Sequence, residues 1–217
     1  LYLAGEESAS QIADRAKRIG VPLNLAVVNE VLLEDVLATV RDLQPDLLVV
    51  DSIQVVYSDA VAGVPGSVTQ VRFATEKLME LAKSHGVTVL LVGHVTKDGT
   101  LAGPRVLEHL VDIVLYLEGE RFENLRLLKT FKNRFGATDE VGVFEMSERG
   151  LVEKKNPTSV FVSEGENKIG SCLSSIIEGT RPFFLAIQAL VTYTKFRYPK
   201  RTVSGLDINR LSIILAV

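Results

Sequence analysis

Leu47-Leu48-Val49-Val50-Asp51-Ser52 reads as a strand buried on both sides that delivers a carboxylate to its C-terminal end. An uninterrupted apolar run of this kind needs cover above and below, and its flanks supply helical patterns. Before it, Leu33, Val36, Leu37, Val40 and Leu43 follow i, i+3, i+4, i+7, i+10 spacing, and Pro45 ends the helix. After it, a Gly/Pro-rich loop from Ser58 to Gly66 leads into a second helical pattern through Val71, Ala74, Leu78, Leu81 and Ala82, with Gly86 beyond. Val87 to Val92 is another buried strand. Strands alternating with amphipathic helices predict an α/β class with a mainly parallel sheet.

Working outward, Leu1 to Ala4 reads as a strand, Ser8 to Ile19 as a helix stopped by Gly20, and Leu23 to Val28 as a second strand. Past Gly99 the pattern changes. Ile113 to Leu117, Asn124 to Phe131 and Glu140 to Met146 read as strands with turn signals at Gly119-Glu120 and Gly136-Ala137, which suits antiparallel neighbours. Lys154-Lys155-Asn156-Pro157 marks a boundary, giving residues 1–153 as one unit and 154–217 as the start of another. In the second unit Ser171 to Ile177 and Pro182 to Val191 pair as strands, and Ile208, Leu211 and Leu215 have helical spacing. That helix reaches Val217 with its apolar face unfinished, so truncation is expected there.

Composition narrows the function classes. Hydrophobic residues are 47% of the 217, and mean hydropathy is +0.22, which suits a folded globular chain rather than disorder. No apolar run approaches the roughly 20 residues of a membrane span, and Leu1 to Glu7 lacks the basic-then-apolar order of a signal peptide. The expectation is a soluble cytoplasmic protein. A single cysteine, Cys172, excludes an internal disulfide or multi-cysteine zinc site in this chain. With 24 Lys plus Arg against 27 Asp plus Glu, any contact with nucleic acid must come from a local patch.

Strands ending in polar residues at one sheet edge are where open α/β folds bind ligands. Asp51 at such an edge has a Walker B shape and can orient Mg²⁺ through water; the bland alternative is a solvated Asp capping a strand. Gly5-Glu6-Glu7-Ser8 offers a carboxylate to orient an attacking water, or two acids that favour a helix N-terminus. Gly93-His94-Val95-Thr96-Lys97 places His94 at the same edge, as a phosphate sensor or as a structural histidine.

The combination is more specific. With Leu101-Ala102-Gly103-Pro104-Arg105-Val106-Leu107-Glu108-His109 and Lys132-Asn133-Arg134-Phe135-Gly136 following those strand ends, the chain resembles the bacterial RadA/Sms family of RecA-like ATPases over essentially its whole length. Glu178-Gly179-Thr180-Arg181-Pro182 and Arg201-Thr202-Val203-Ser204-Gly205-Leu206-Asp207 resemble the opening of that family's Lon-protease-like α+β domain, without its catalytic residues.

The resemblance implies an ATP- and Mg²⁺-using motor, assembled as a homo-oligomeric, hexameric ring, that acts on single-stranded and branched DNA beside RecA. It makes Glu6 the catalytic glutamate ahead of Glu7, puts Asp51 and Ser52 at the nucleotide, and makes His94 the sensor. Lys132 and Arg134 would reach a neighbouring subunit's nucleotide. The loops Ser58 to Gly66 and Val95 to Arg105 would face DNA, with Lys97 and Arg105 contacting phosphates. The family's four-cysteine zinc module and G-x-x-x-x-G-K-[ST] phosphate loop are not in this sequence. The alternative is therefore an ATP-incompetent fragment that serves only as an oligomerisation or partner-binding module.

Overall fold

The computed structural model describes residues 1–21, 24–94, 107–119, 124–154, 169–195, 197–198 and 200–216. Strands β1 (Tyr2–Ala4), β2 (Val27–Val28), β3 (Leu47–Asp51) and β4 (Thr88–Val92) form a sheet in the order β2-β1-β3-β4. Every pairing in it is parallel. Helices α1 (Ala9–Ile19), α2 (Leu33–Leu43) and α3 (Val68–His85) connect the strands. Parallel neighbours need crossovers, which is why each apolar run in the sequence is separated from the next by a helical one.

The helices begin and end for local reasons. Ser8 caps α1 in a reciprocal capping box with Gln11, and Gly20, in the left-handed region at φ +74°, closes it by turning its N–H back onto the last carbonyls. Gly86, at φ +68°, ends α3 in the same conformation. The core lies where α2 and α3 cover one face of the sheet. Leu3, Leu48 and Val50 meet Val36, Val40, Val71 and Leu78 there, each no more than 1% exposed.

The other face is covered unevenly: Ala4 is 3% exposed, while Leu47 and Leu90, the latter on edge strand β4, remain 45% and 49% exposed. The strand expected from Leu23 is confined to Val27–Val28, with residues 22–23 outside the described set.

The Ser58–Gly66 loop is held mainly by Gln70, with the Ser58 hydroxyl also bonded to Glu34. Gln70, 2% exposed on α3, accepts from the Ser58 N–H at 2.9 Å and donates Nε2 to the carbonyls of Ser58 (3.0 Å), Val61 (2.8 Å) and Gly63 (3.2 Å). Gln70→Leu keeps the volume and strips these backbone groups of their partner. Leaving a buried donor or acceptor unpaired costs about 1–3 kcal/mol, so urea denaturation is expected to show a loss of about 2–4 kcal/mol. A loss within about 0.5 kcal/mol of zero, the range of an ordinary surface change, would contradict this account.

The second half is antiparallel. β5 (Ile113–Gly119), β6 (Leu125–Asn133), β7 (Val141–Ser147) and β8 (Gly150–Glu153) form a meander in that order. β9 (Ser171–Glu178) and β10 (Arg181–Gln188) form a hairpin, shorter than expected at its far end, and α4 (Ile208–Ala216) follows. Lys154 still belongs to the meander: its N–H donates to the Val143 carbonyl at 2.8 Å and its Nζ lies 2.6 Å from Glu145. Residues 155–157 of the expected boundary lie outside the described set. The hairpin is joined to the meander, since Phe183 is buried with Leu125, Val141 and Val143, and the Thr180 N–H donates to the Asp139 carbonyl at 2.8 Å.

Candidate active site

The register of three strands decides what meets at the sheet edge. Ala4 stands opposite Asp51, and Asp51 opposite Val92, so the segments leaving β1, β3 and β4 emerge level with one another. Gly5 makes the close approach possible: its N–H donates to the Asp51 carbonyl at 2.7 Å, and a Cβ there would lie 2.0 Å from Val55 Cγ2. Asn29 then fixes the turn that follows by donating to the carbonyls of Ala4 (3.0 Å) and Glu7 (2.9 Å).

Glu6, Asp51 and His94 line one open cleft of about 240 Å³, and Ser52 is bonded into it. The buried Ser52 hydroxyl donates to Glu6 Oε1 at 2.7 Å, and His94 Nε2 lies 3.4 Å from the same oxygen. The Asp51–Ser52 peptide is cis. The Gln54 side-chain amide donates to the His94 carbonyl at 3.3 Å, tying the end of β4 to the 3-10 turn Ile53–Val55. The two acids of Gly5-Glu6-Glu7 are treated differently: Glu7 is paired with Arg15 of α1, while Glu6 is held by Ser52 and faces His94.

Tyr2 and Arg15 line the cleft as well, and the sequence reading did not single them out. The Tyr2 hydroxyl donates to Asp51 Oδ2 at 2.5 Å. Burial, then the hydrogen bond to Asp51 and its charge, push the Tyr2 phenol up to about 12, with Arg15 acting in the opposite direction. The phenol therefore keeps its proton, and its role as donor, through neutral pH.

Lys132 and Arg134, at and just beyond the end of β6, do not line this cleft. Lys132 Nζ donates to the carbonyls of Glu108 (2.6 Å) and Val111 (2.8 Å), clamping the turn that precedes β5. The Glu108 carboxylate accepts from the Tyr116 hydroxyl at 2.6 Å, so the same turn is tied a second time. Leu107, at its start, packs on the core of the parallel sheet. Arg134 instead forms an ion pair with Asp112 at 3.0 Å, both side chains about half exposed at 53% and 47%. Lys97 and Arg105 lie outside the described residues.

Among the described residues no cluster of three or more His, Cys, Asp or Glu side chains could hold a metal by itself. The donor set in the cleft still fits Mg²⁺, which is usually held by one or two carboxylates together with waters and substrate phosphates. Asp51 would hold it, since no described residue engages Oδ1 while Tyr2 occupies Oδ2. Among the described residues no helix is long and apolar enough to cross a membrane.

A family model described as "AAA domain" matches residues 1–100. The chain is 52% identical over its whole length to DNA repair protein RadA of Streptococcus pneumoniae, covering 52% of that protein. It is 47% identical to the proteins of the same name from Bacillus subtilis and Pseudomonas aeruginosa, again over its whole length and covering 48% of each. It thus spans about half the length of the curated relatives it matches. Among solved structures, a KaiC-like protein, PH0186 of Pyrococcus horikoshii, superposes with a TM-score of 0.54 at 20% identity over 70% of this chain and 75% of that one, a likeness of fold alone. On the sequence matches, this chain is similar over its whole length to RadA proteins and is consistent with a piece of about half of such a protein.

Proposed function

We propose that this chain is the hydrolysis-side portion of a cytoplasmic, DNA-dependent ATPase that processes recombination intermediates in DNA repair. The observation that carries the reading is the convergence of Glu6, Asp51 with Ser52, and His94 from three parallel strand ends in one cleft. Whole-chain identity to proteins named for DNA repair supports the biological setting.

In this reading Asp51 orients Mg²⁺, which neutralises phosphate charge when bound. Glu6 accepts a proton from the attacking water through Oε2, because Ser52 and His94 face Oε1. His94 couples the cleft to the segment Val95 to Arg105, where Lys97 and Arg105 contact DNA phosphates without reading bases; the loop Ser58 to Gly66 is the second DNA-facing element. Arg134 and Lys132 serve a neighbouring subunit of a hexameric ring acting on single-stranded and branched DNA beside RecA. Residues from 154 onward begin a Lon-protease-like domain.

ATP hydrolysis by the full-length protein, measured with and without single-stranded DNA, tests the reading. DNA-stimulated, Mg²⁺-dependent turnover is expected, falling at least about 100-fold in Asp51→Ala, the scale of losing a group that stabilises transition-state charge. Turnover indifferent to that substitution would overturn the assignment and favour a purely oligomer-forming or partner-binding module.

A further inference from the structure

Asp51 has a partner that no sequence motif announces. Tyr2 and Ala4 point to the same face of β1, because side chains alternate along a strand. Ala4 stands directly opposite Asp51 in the neighbouring strand. Tyr2 sits two residues lower, about 6.6 Å down the strand, roughly the reach of a tyrosine side chain. The small methyl of Ala4 leaves the path open. The phenol therefore rises past Ala4 and ends at the level of the Asp51 carboxylate, where the 2.5 Å contact to Oδ2 is seen. A phenylalanine would fill the same space and offer nothing at its tip. A partly buried tyrosine hydroxyl needs an acceptor, and the acceptor here is the carboxylate of the candidate metal-orienting residue.

We infer that Tyr2 is a positioning residue for Asp51: its hydroxyl holds Oδ2 and thereby aims Oδ1 into the cleft where a hydrated divalent cation would be bound. The inference rests on the nucleotide-site reading of the cleft. A carboxylate at a strand end can rotate about two side-chain torsions, and a water-mediated metal contact depends on the direction of one oxygen. Hydrogen-bond partners that orient a metal-holding group typically change metal affinity or activity by about 10–100-fold when removed. The bond also leaves Glu6 untouched, since Glu6 has its own partners in Ser52 and His94. The two carboxylates of the cleft are thus aimed by separate devices.

The experiment uses the full-length protein with a non-hydrolysable ATP analogue and Mn²⁺ as the probe, free Mn²⁺ being read by electron paramagnetic resonance. Tyr2→Phe is expected to raise the Mn²⁺ concentration for half-saturation about tenfold, with metal-free binding of the analogue unchanged within about twofold. In an Asp51→Asn background, Tyr2→Phe is expected to add nothing, since the two residues act through one contact. If Asp51→Asn weakens Mn²⁺ binding but Tyr2→Phe does not, the positioning role is wrong and the cleft assignment stands. If Asp51→Asn also leaves Mn²⁺ binding as in the parent, the cleft assignment itself fails. Tyr2→Leu separates hydroxyl from ring: a loss seen in Tyr2→Leu and not in Tyr2→Phe assigns Tyr2 to packing and overturns the inference.

Discussion

Glu6→Gln in the full-length protein is expected to lower single-turnover ATP hydrolysis by about 10²–10⁴-fold, the usual contribution of a general base. Glutamine keeps the shape of the side chain and an oxygen for the Ser52 hydroxyl, which donates to Glu6 at 2.7 Å. It removes the basicity that would draw a proton from water. Nucleotide affinity should hold within a few-fold, so the loss falls on the chemical step. Glu7→Gln is the internal control. Glu7 also lines the cleft but is paired with Arg15 rather than with Ser52 or His94, so turnover in that variant should fall by no more than about fivefold, a largely exposed ion pair being worth about 1 kcal/mol or less. The reverse order, with Glu7→Gln the deeper loss, would transfer the catalytic role to Glu7.

Arg134→Ala is expected to cost about 10³-fold or more in turnover while nucleotide still binds, the scale of an arginine that meets transition-state charge from across an interface. For that role the guanidinium must leave Asp112. The pair is about half exposed on both sides, and opening a pair of that kind costs about 0–1 kcal/mol, little beside what an arginine finger would supply at the phosphates. Mixed assemblies decide between action in trans and in cis. Subunits carrying Asp51→Ala but an intact Arg134 should restore activity to Arg134→Ala subunits in co-assembled rings. No restoration in rings shown to contain both would place Arg134 within its own subunit.

The fold was legible where signals are local. Gly20 marked the end of α1, Pro45 closed the region of α2, and the run ending in Asp51 marked β3. β8 was not legible, because Gly150–Glu153 is too short to show alternation and forms only by turning back onto β7 at Ser147–Gly150. The 3-10 turn Ile53–Val55 was hidden for the same reason of length. At the site, Glu6, Asp51 and His94 announced themselves by ending apolar runs. Tyr2 did not, since its importance arises from the Ala4–Asp51 register, a pairing 47 positions apart that no local pattern encodes. The clamp made by Lys132 on Glu108 and Val111 is equally non-local, so the pentapeptide gives no sign that the lysine's ammonium is bound to two carbonyls of its own chain.

Lys132 and Arg134 stand two residues apart yet answer to different surroundings. Lys132 is held by two peptide carbonyls in a partly buried position, a dipolar grip that dissolved ions screen weakly. Arg134 is held by a half-exposed carboxylate, a contact between full charges that mobile ions weaken, the Debye length being about 8 Å at physiological ionic strength. Ionic strength is therefore a selective solvent on this short segment: it loosens the arginine from its tether while the lysine keeps the turn, and with it the backbone that carries the arginine, in place.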